Sequence, residues 1–178
     1  MPLDARRYLL LAALVSAAML ASAHAFERMG GYAPCLLCLR QREVYWMALP
    51  LAAGGWALLK REGLGAREPL LPRVLPLLLA AVFLTGFGVA AYHAGVEWRW
   101  WPGPEACAAG GSTSAADIEA LLRGESGPMV RCDEVVWSLL GLSMAGWNAV
   151  VSLGLALLGA VVAAKPVQSR SLQAAHAV

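Results

Sequence analysis

The sequence predicts an all-α membrane protein, a four-transmembrane-helix bundle with a long outer loop carrying a short interfacial helix. Three observations predict it. Of 178 residues, 59% are hydrophobic and 15% charged, with a mean hydropathy of +0.59. The apolar residues are gathered into runs near the ~20 needed to cross the hydrocarbon core. Lys and Arg are concentrated between alternate runs, as topology requires. Residues 1–164 read as a single membrane domain followed by a short tail, 165–178.

The first run, 8–26, is nineteen residues without Asp, Glu, Lys or Arg, and Arg6 and Arg7 precede it. Ala23-His24-Ala25 has the small-x-small form of a signal cleavage site, but the run exceeds the roughly 7–15 residues of a signal core. A retained helix is therefore expected, and cleavage would leave the outer placement of Cys35 and Cys38 unchanged. The outer connection 27–43 holds Gly30-Gly31 and these two cysteines. The second span, about 44–60, has sixteen apolar-run residues and becomes long enough only if Leu36, Leu37 and Leu39 lead into it. Pro50, Gly54 and Gly55 inside it are tolerated in membrane helices. A polar segment with Lys60, Arg61, Arg67 and Arg73 against Glu62 and Glu68 comes next.

The third span, 74–92, ends at His93. The connection 93–143 is polar and rich in Gly and Pro, with seven acids against three arginines, and carries Cys107 and Cys132. The fourth span is 145–164, with Lys165 and Arg170 beyond it. Placing both termini inside gives the inner segments eight Lys and Arg in 35 residues and the outer segments six in 68. All four cysteines then face outside. Trp98, Trp100, Trp101, Trp137 and Trp147 flank the long loop and suit the headgroup region as interface anchors. Within it, 114–122 reads as a short helix, capped by Ser114 or Asp117, with Ile118, Leu121 and Leu122 on one side for the membrane surface.

The net charge of +2, with no basic cluster interleaved with aromatics, argues against nucleic-acid binding. The chemistry lies in Pro34-Cys35-Leu36-Leu37-Cys38-Leu39-Arg40-Gln41-Arg42. A Cys-x-x-Cys pair can close its own disulfide or hold one reactive thiolate near positive charge. A helix starting at Leu36 puts Cys38 in its first turn, where unpaired N–H groups favour an anion. Arg42, four residues on, then stacks over Cys38.

Three readings compete for the cysteines. Four thiolates can hold a structural zinc, but Cys107 and Cys132 are 25 positions apart and form no second Cys-x-x-Cys. Two purely structural bridges are ordinary outside the cytoplasm, yet a Cys-x-x-Cys bridge closes too small a loop to stabilise much. Thiol–disulfide exchange, with one mobile pair and one beside the membrane, fits best. No haem, flavin or dinucleotide motif takes the electrons onward, so a lipid-soluble quinone is the expected acceptor. Arg42 suits a growing negative charge on a quinone oxygen, and His93 can donate a hydrogen bond or a proton there. The plain alternatives are an arginine snorkelling to headgroups and a boundary histidine without a role. His24 and His176 have no motif around them.

These features together resemble the disulfide bond formation protein B (DsbB) family, over nearly the whole chain from the first span to the fourth. The resemblance rests on Pro-Cys-x-x-Cys with Arg42 after it, His93 beyond span three, Cys107 and Cys132 in a long outer loop, and Gly141-Leu142-x-Met144-x-x-Trp147 at the start of span four. It implies a multi-pass protein of the bacterial inner membrane, with cytoplasmic termini and periplasmic cysteines. It also implies an enzyme that reoxidises a periplasmic DsbA-type thiol oxidase and passes electrons to ubiquinone, with menaquinone as the alternative carrier. The resemblance assigns the redox disulfides Cys35–Cys38 and Cys107–Cys132. Cys107 is then attacked by the reduced partner, Cys132 engages Cys35, and Cys38 faces the quinone beside Arg42. The family's usual Glu-Arg after the pair is Gln41-Arg42 here, and a position commonly Gln is Glu97. Two further readings remain: a related oxidase serving a dedicated partner, and a non-catalytic membrane scaffold braced by disulfides.

Overall fold

The structure, a computed structural model, describes residues 3–60, 70–108 and 131–165, and among these four long helices account for the apolar runs. Helix α1, Ala5–Gly30, is capped by Asp4, whose carboxylate accepts from the Arg7 N–H at 2.8 Å. It ends at Gly31, whose φ of +70° is the left-handed geometry that favours glycine and returns its N–H to the Phe26 carbonyl. Helix α2 is Leu36–Lys60 and helix α3 is Leu71–Glu97. A single helical turn, α4, spans Glu105–Ala108. Strands β1 (Ser138–Leu139) and β2 (Leu142–Ser143) form a small antiparallel hairpin leading into α5, Met144–Ala164, which Ser143 caps through the Gly146 N–H at 3.1 Å. The expected helix at 114–122, most of the basic segment, and the tail beyond 165 lie outside the described residues.

Helix ends and apolar runs do not coincide. Helix α2 starts eight residues before the run at 44, and α3 continues five residues past 92, so His93 lies within a helix. Hydropathy marks where lipid can surround a helix. Backbone hydrogen bonding decides where the helix stops, and 36–43 consists mainly of good helix formers.

Helices α1, α3 and α5 are long and apolar enough to cross a membrane by length and composition; α2 is not among them. Its first two turns carry Arg40, Gln41, Arg42 and Glu43. Outward faces of the three apolar helices expose Leu11, Leu14, Leu77, Leu84, Leu157 and Val161, a distribution suited to lipid rather than water.

Helix α3 packs most extensively on α5, and α1 on α2. The inner core joins Tyr8, Leu9 and Ala12 of α1 to Tyr45 and Ala48 of α2, Leu79 and Phe83 of α3, and Leu155 of α5. Small residues allow close approach: a Cβ at Gly159 would stand 2.5 Å from the Tyr8 hydroxyl and 2.8 Å from the Pro76 carbonyl. The Tyr8 hydroxyl donates to the Leu155 carbonyl at 3.0 Å, tying α1 to α5. A second, smaller cluster at the other end of the bundle holds Cys35, Leu37, Val96, Cys107 and Cys132, with Cys38 against it.

Candidate active site

Cys35 stands immediately before α2. Its carbonyl accepts from the Leu39 N–H at 3.1 Å and its sulfur from the Cys38 N–H at 3.2 Å, so the cysteine caps the helix with its own sulfur. The Cys38 sulfur is 2.7 Å from it, and the two are unbonded thiols here. Both lie outside the apolar run at 44–60. The Cys35 thiol donates to Cys38 and is buried, and for both reasons it is held well above the ordinary thiol range. Cys38, which receives that hydrogen bond and another from the Cys35 backbone and lies near the Arg42 charge, is shifted below the ordinary range. Cys38 is therefore the member that ionises first.

His93 comes down from α3 onto Cys35. Its Nε2 is 3.6 Å from the Cys35 sulfur, while its Nδ1 accepts from Gln41 Nε2 at 2.7 Å. Beyond Gln41 a polar chain continues: Asn148 Nδ2 donates to Gln41 Oε1, and the Tyr45 hydroxyl donates to Asn148 Oδ1. Ser152, one turn on from Asn148, reaches both, at 3.2 Å to Tyr45 and 3.4 Å to Asn148. All five side chains are buried, and they link α2, α3 and α5. On the other flank the Glu97 carboxylate accepts from Ser143 and lies 3.9 Å from His93 Nε2.

Cys107 and Cys132 are joined in a disulfide with Cα atoms 5.4 Å apart. His93 also lies close to the Cys132 backbone. One imidazole thus stands beside both cysteine pairs. A second cleft beside Cys107 is lined by Arg99, Trp100, Trp101, Arg131 and Asp133. The half-exposed Trp98, Trp100 and Trp101 pack on one another, and Trp101 stacks on Tyr92.

Arg42 is not free over Cys38. Its guanidinium pairs with Glu27 and donates to the Ala23 carbonyl at 3.2 Å, both on α1. It still shares a cavity of about 360 Å³ with Cys35, Cys38 and His93. Met19, Leu20, Phe26, Val136 and Leu139 give that cavity an apolar wall, with Asn148 among its polar groups. His24 lies apart from the cysteines, bonded to the Leu20 carbonyl and edge-on to Trp46.

Sequence reasoning noted Gln41 and Glu97 only as unusual residues, and it missed Glu27, Tyr45, Asn148 and Ser152. A signal for the last two was present. Asn148 and Ser152 are one turn apart in an otherwise apolar run, and polar residues inside membrane helices face the bundle interior.

A family model described as Disulfide bond formation protein DsbB matches residues 5–162. Curated relatives named Disulfide bond formation protein B include one from Polaromonas sp., 30% identical over 93% of this chain and 94% of its own length. Another, from Methylococcus capsulatus, is 33% identical over 85% of this chain and 90% of its own. A third, from Verminephrobacter eiseniae, is 32% identical over 86% of this chain and 84% of its own. No solved structure gives a significant match.

Proposed function

The chain belongs to the DsbB family, and we propose that it is a thiol:quinone oxidoreductase that reoxidises a periplasmic DsbA-type dithiol protein. Family membership makes it a membrane-associated disulfide bond formation protein. The finer reading includes a fourth crossing by α2 over about residues 44–60, with its first two turns, which carry Cys38, at the membrane edge. With that crossing both termini are cytoplasmic and the cysteine end of the bundle is periplasmic, in the bacterial inner membrane.

One observation carries the reading. The Cys35–Cys38 dithiol forms part of the wall of an apolar cavity at one end of the bundle, while the Cys107–Cys132 disulfide packs in the same cluster. Electrons from a soluble partner have a path to lipid only through such a juxtaposition. A thiolate of the reduced partner attacks Cys107, forming a mixed disulfide and releasing Cys132. Cys132 attacks Cys35 of the oxidised inner pair, with Cys38 as leaving thiolate. The partner's second thiol then displaces Cys107, which attacks Cys132 to restore the Cys107–Cys132 disulfide and leave Cys35 and Cys38 as a dithiol.

Oxidation of the dithiol gives up two electrons and two protons, and a quinone is a carrier that accepts both. Ubiquinone is the expected carrier, with menaquinone as the alternative. The cavity suits such a molecule, with apolar walls and polar groups at one end. Arg42 would orient a carbonyl oxygen, and Glu27 and the Ala23 carbonyl hold the guanidinium in place. His93 would carry a proton between the sulfurs and the cavity.

The test is oxidation of a reduced DsbA-type protein by the purified full chain with a water-soluble quinone analogue. Catalysed quinone reduction supports the proposal. Absence of turnover with both ubiquinone and menaquinone analogues refutes it and favours the scaffold.

A further inference from the structure

The reduced pair and His93 also have the composition of a metal site. We propose that the dithiol form binds a soft divalent metal ion, such as zinc, through Cys35 Sγ, Cys38 Sγ and His93 Nε2, with a fourth position open to the cavity. This differs from a four-thiolate site, because Cys107 and Cys132 are bonded to each other.

Geometry carries most of it. The three ligand atoms all lie within 4.8 Å of one another. A tetrahedral zinc, with bonds near 2.3 Å to sulfur and 2.0–2.1 Å to nitrogen, sets sulfur and nitrogen about 3.5 Å apart and two sulfurs about 3.8 Å apart. Cys35 Sγ and His93 Nε2 are already 3.6 Å apart. The sulfurs, at 2.7 Å, must separate by about 1 Å, a side-chain rotation that the adjoining cavity leaves room for. Two thiolates neutralise the ion, and the helix start already favours negative charge there.

The outer shell is suited as well. A metal-binding histidine nitrogen must carry a lone pair, so its other nitrogen needs an acceptor for its hydrogen. Here Gln41 faces Nδ1, and in the metal-free arrangement it donates to that nitrogen. Turning over the Gln41 and Asn148 amides reverses every hydrogen bond in the chain without moving a heavy atom far. Gln41 Oε1 then accepts from Nδ1–H, and Asn148 Oδ1 accepts from Gln41 Nε2. The chain ends on the hydroxyls of Tyr45 and Ser152, which can accept as readily as donate. The network thus serves either tautomer of His93, and only the metal-bound form requires the reversed one. Bound metal occupies both electron-donating sulfurs, so it inhibits thiol oxidation reversibly and shields the pair from reoxidation.

Cadmium titration of the full chain in detergent, reduced and freed of reductant without air, tests this through the thiolate-to-cadmium absorption band. One equivalent is expected to bind the reduced protein, zinc to displace it, and the Cys35–Cys38 oxidised protein to bind none. Cys38→Ser should abolish the band, while Cys107→Ser with Cys132→Ser should keep it. His93→Ala and His93→Gln should each weaken binding about tenfold or more, and Asn148→Leu by about tenfold through the outer shell. Wild-type affinity in both His93 variants, or loss of the band only when Cys107 and Cys132 are replaced, would overturn the site. The readout needs no turnover, so failure of the metal titration is distinguishable from failure of the quinone assay.

Discussion

The two cysteine pairs are built in opposite ways. Cys35 and Cys38 are neighbours because one helical turn makes them so, and α2 fixes their spacing before any tertiary contact forms. Cys107 and Cys132 are 25 residues apart, and only a disulfide and the packing of Val96 and Leu37 bring them to the same place. The first pair sits at a helix start, against a buried histidine backed by a polar chain that links three helices. The second is buried in a small cluster at one end of the bundle, beside a cleft with Arg99, Arg131 and Asp133 on its walls. Under the proposed function, the chemistry that must be adjusted sits on a rigid element, and the chemistry that meets a partner sits in a connection between helices.

The sharpest way to break this contrast is Cys38→Ser. Quinone-dependent turnover should fall by at least about a thousandfold, as expected for loss of a nucleophile. The Cys107 side should still trap the reduced partner in a mixed disulfide, visible on a non-reducing gel. Stability should divide the other way. Replacing Cys107 and Cys132 by serine removes a closed loop of 25 residues and should cost about 3–4 kcal/mol in unfolding free energy, against about 2 kcal/mol for the Cys35–Cys38 loop. Denaturant titration in detergent measures both, and equal losses would contradict the division of roles.

Arg42→His should raise the apparent KM for the quinone analogue by about tenfold to a hundredfold, the worth of one charge-assisted hydrogen bond. Glu27→Gln loosens the guanidinium without removing it and should do less. The mildest test is pH. The lowered Cys38 thiol should keep its alkylation reactivity to lower pH than a free cysteine, because the hydrogen bond from Cys35 favours its thiolate. A free cysteine instead loses reactivity below about 8.5. The elevated Cys35 thiol should stay protonated and slow throughout that range. A Cys38 profile matching that of a free thiol would sink the assignment of the reactive member.

Much of the fold was legible in the chain. Nineteen uncharged residues at 8–26 and at 74–92 announce helices because a bilayer leaves a backbone no other partner than itself. A helix start at Leu36 was only a supposition beside the apolar run at 44, and α2 does begin at Leu36. The inward turn of His93 was not legible. Hydropathy ended its span one residue earlier, whereas α3 continues for another turn and carries the ring beneath the cysteines. Arg42 was placed correctly along the helix and its charge does favour the Cys38 thiolate, but its pairing with Glu27 was not legible, because that depends on how α1 lies against α2.

What the sequence determined by itself is the apolar lengths, the Cys-x-x-Cys pair and the cation four residues after it, all properties of neighbours along one strand of chain. The tertiary structure alone decided that Gln41, Tyr45, Asn148 and Ser152 form one hydrogen-bonded chain behind His93, and that this histidine stands between the two cysteine pairs. The physical reason is that a buried polar group must find a partner, and its partners here come from other helices, at separations in the chain of 52 to 107 residues.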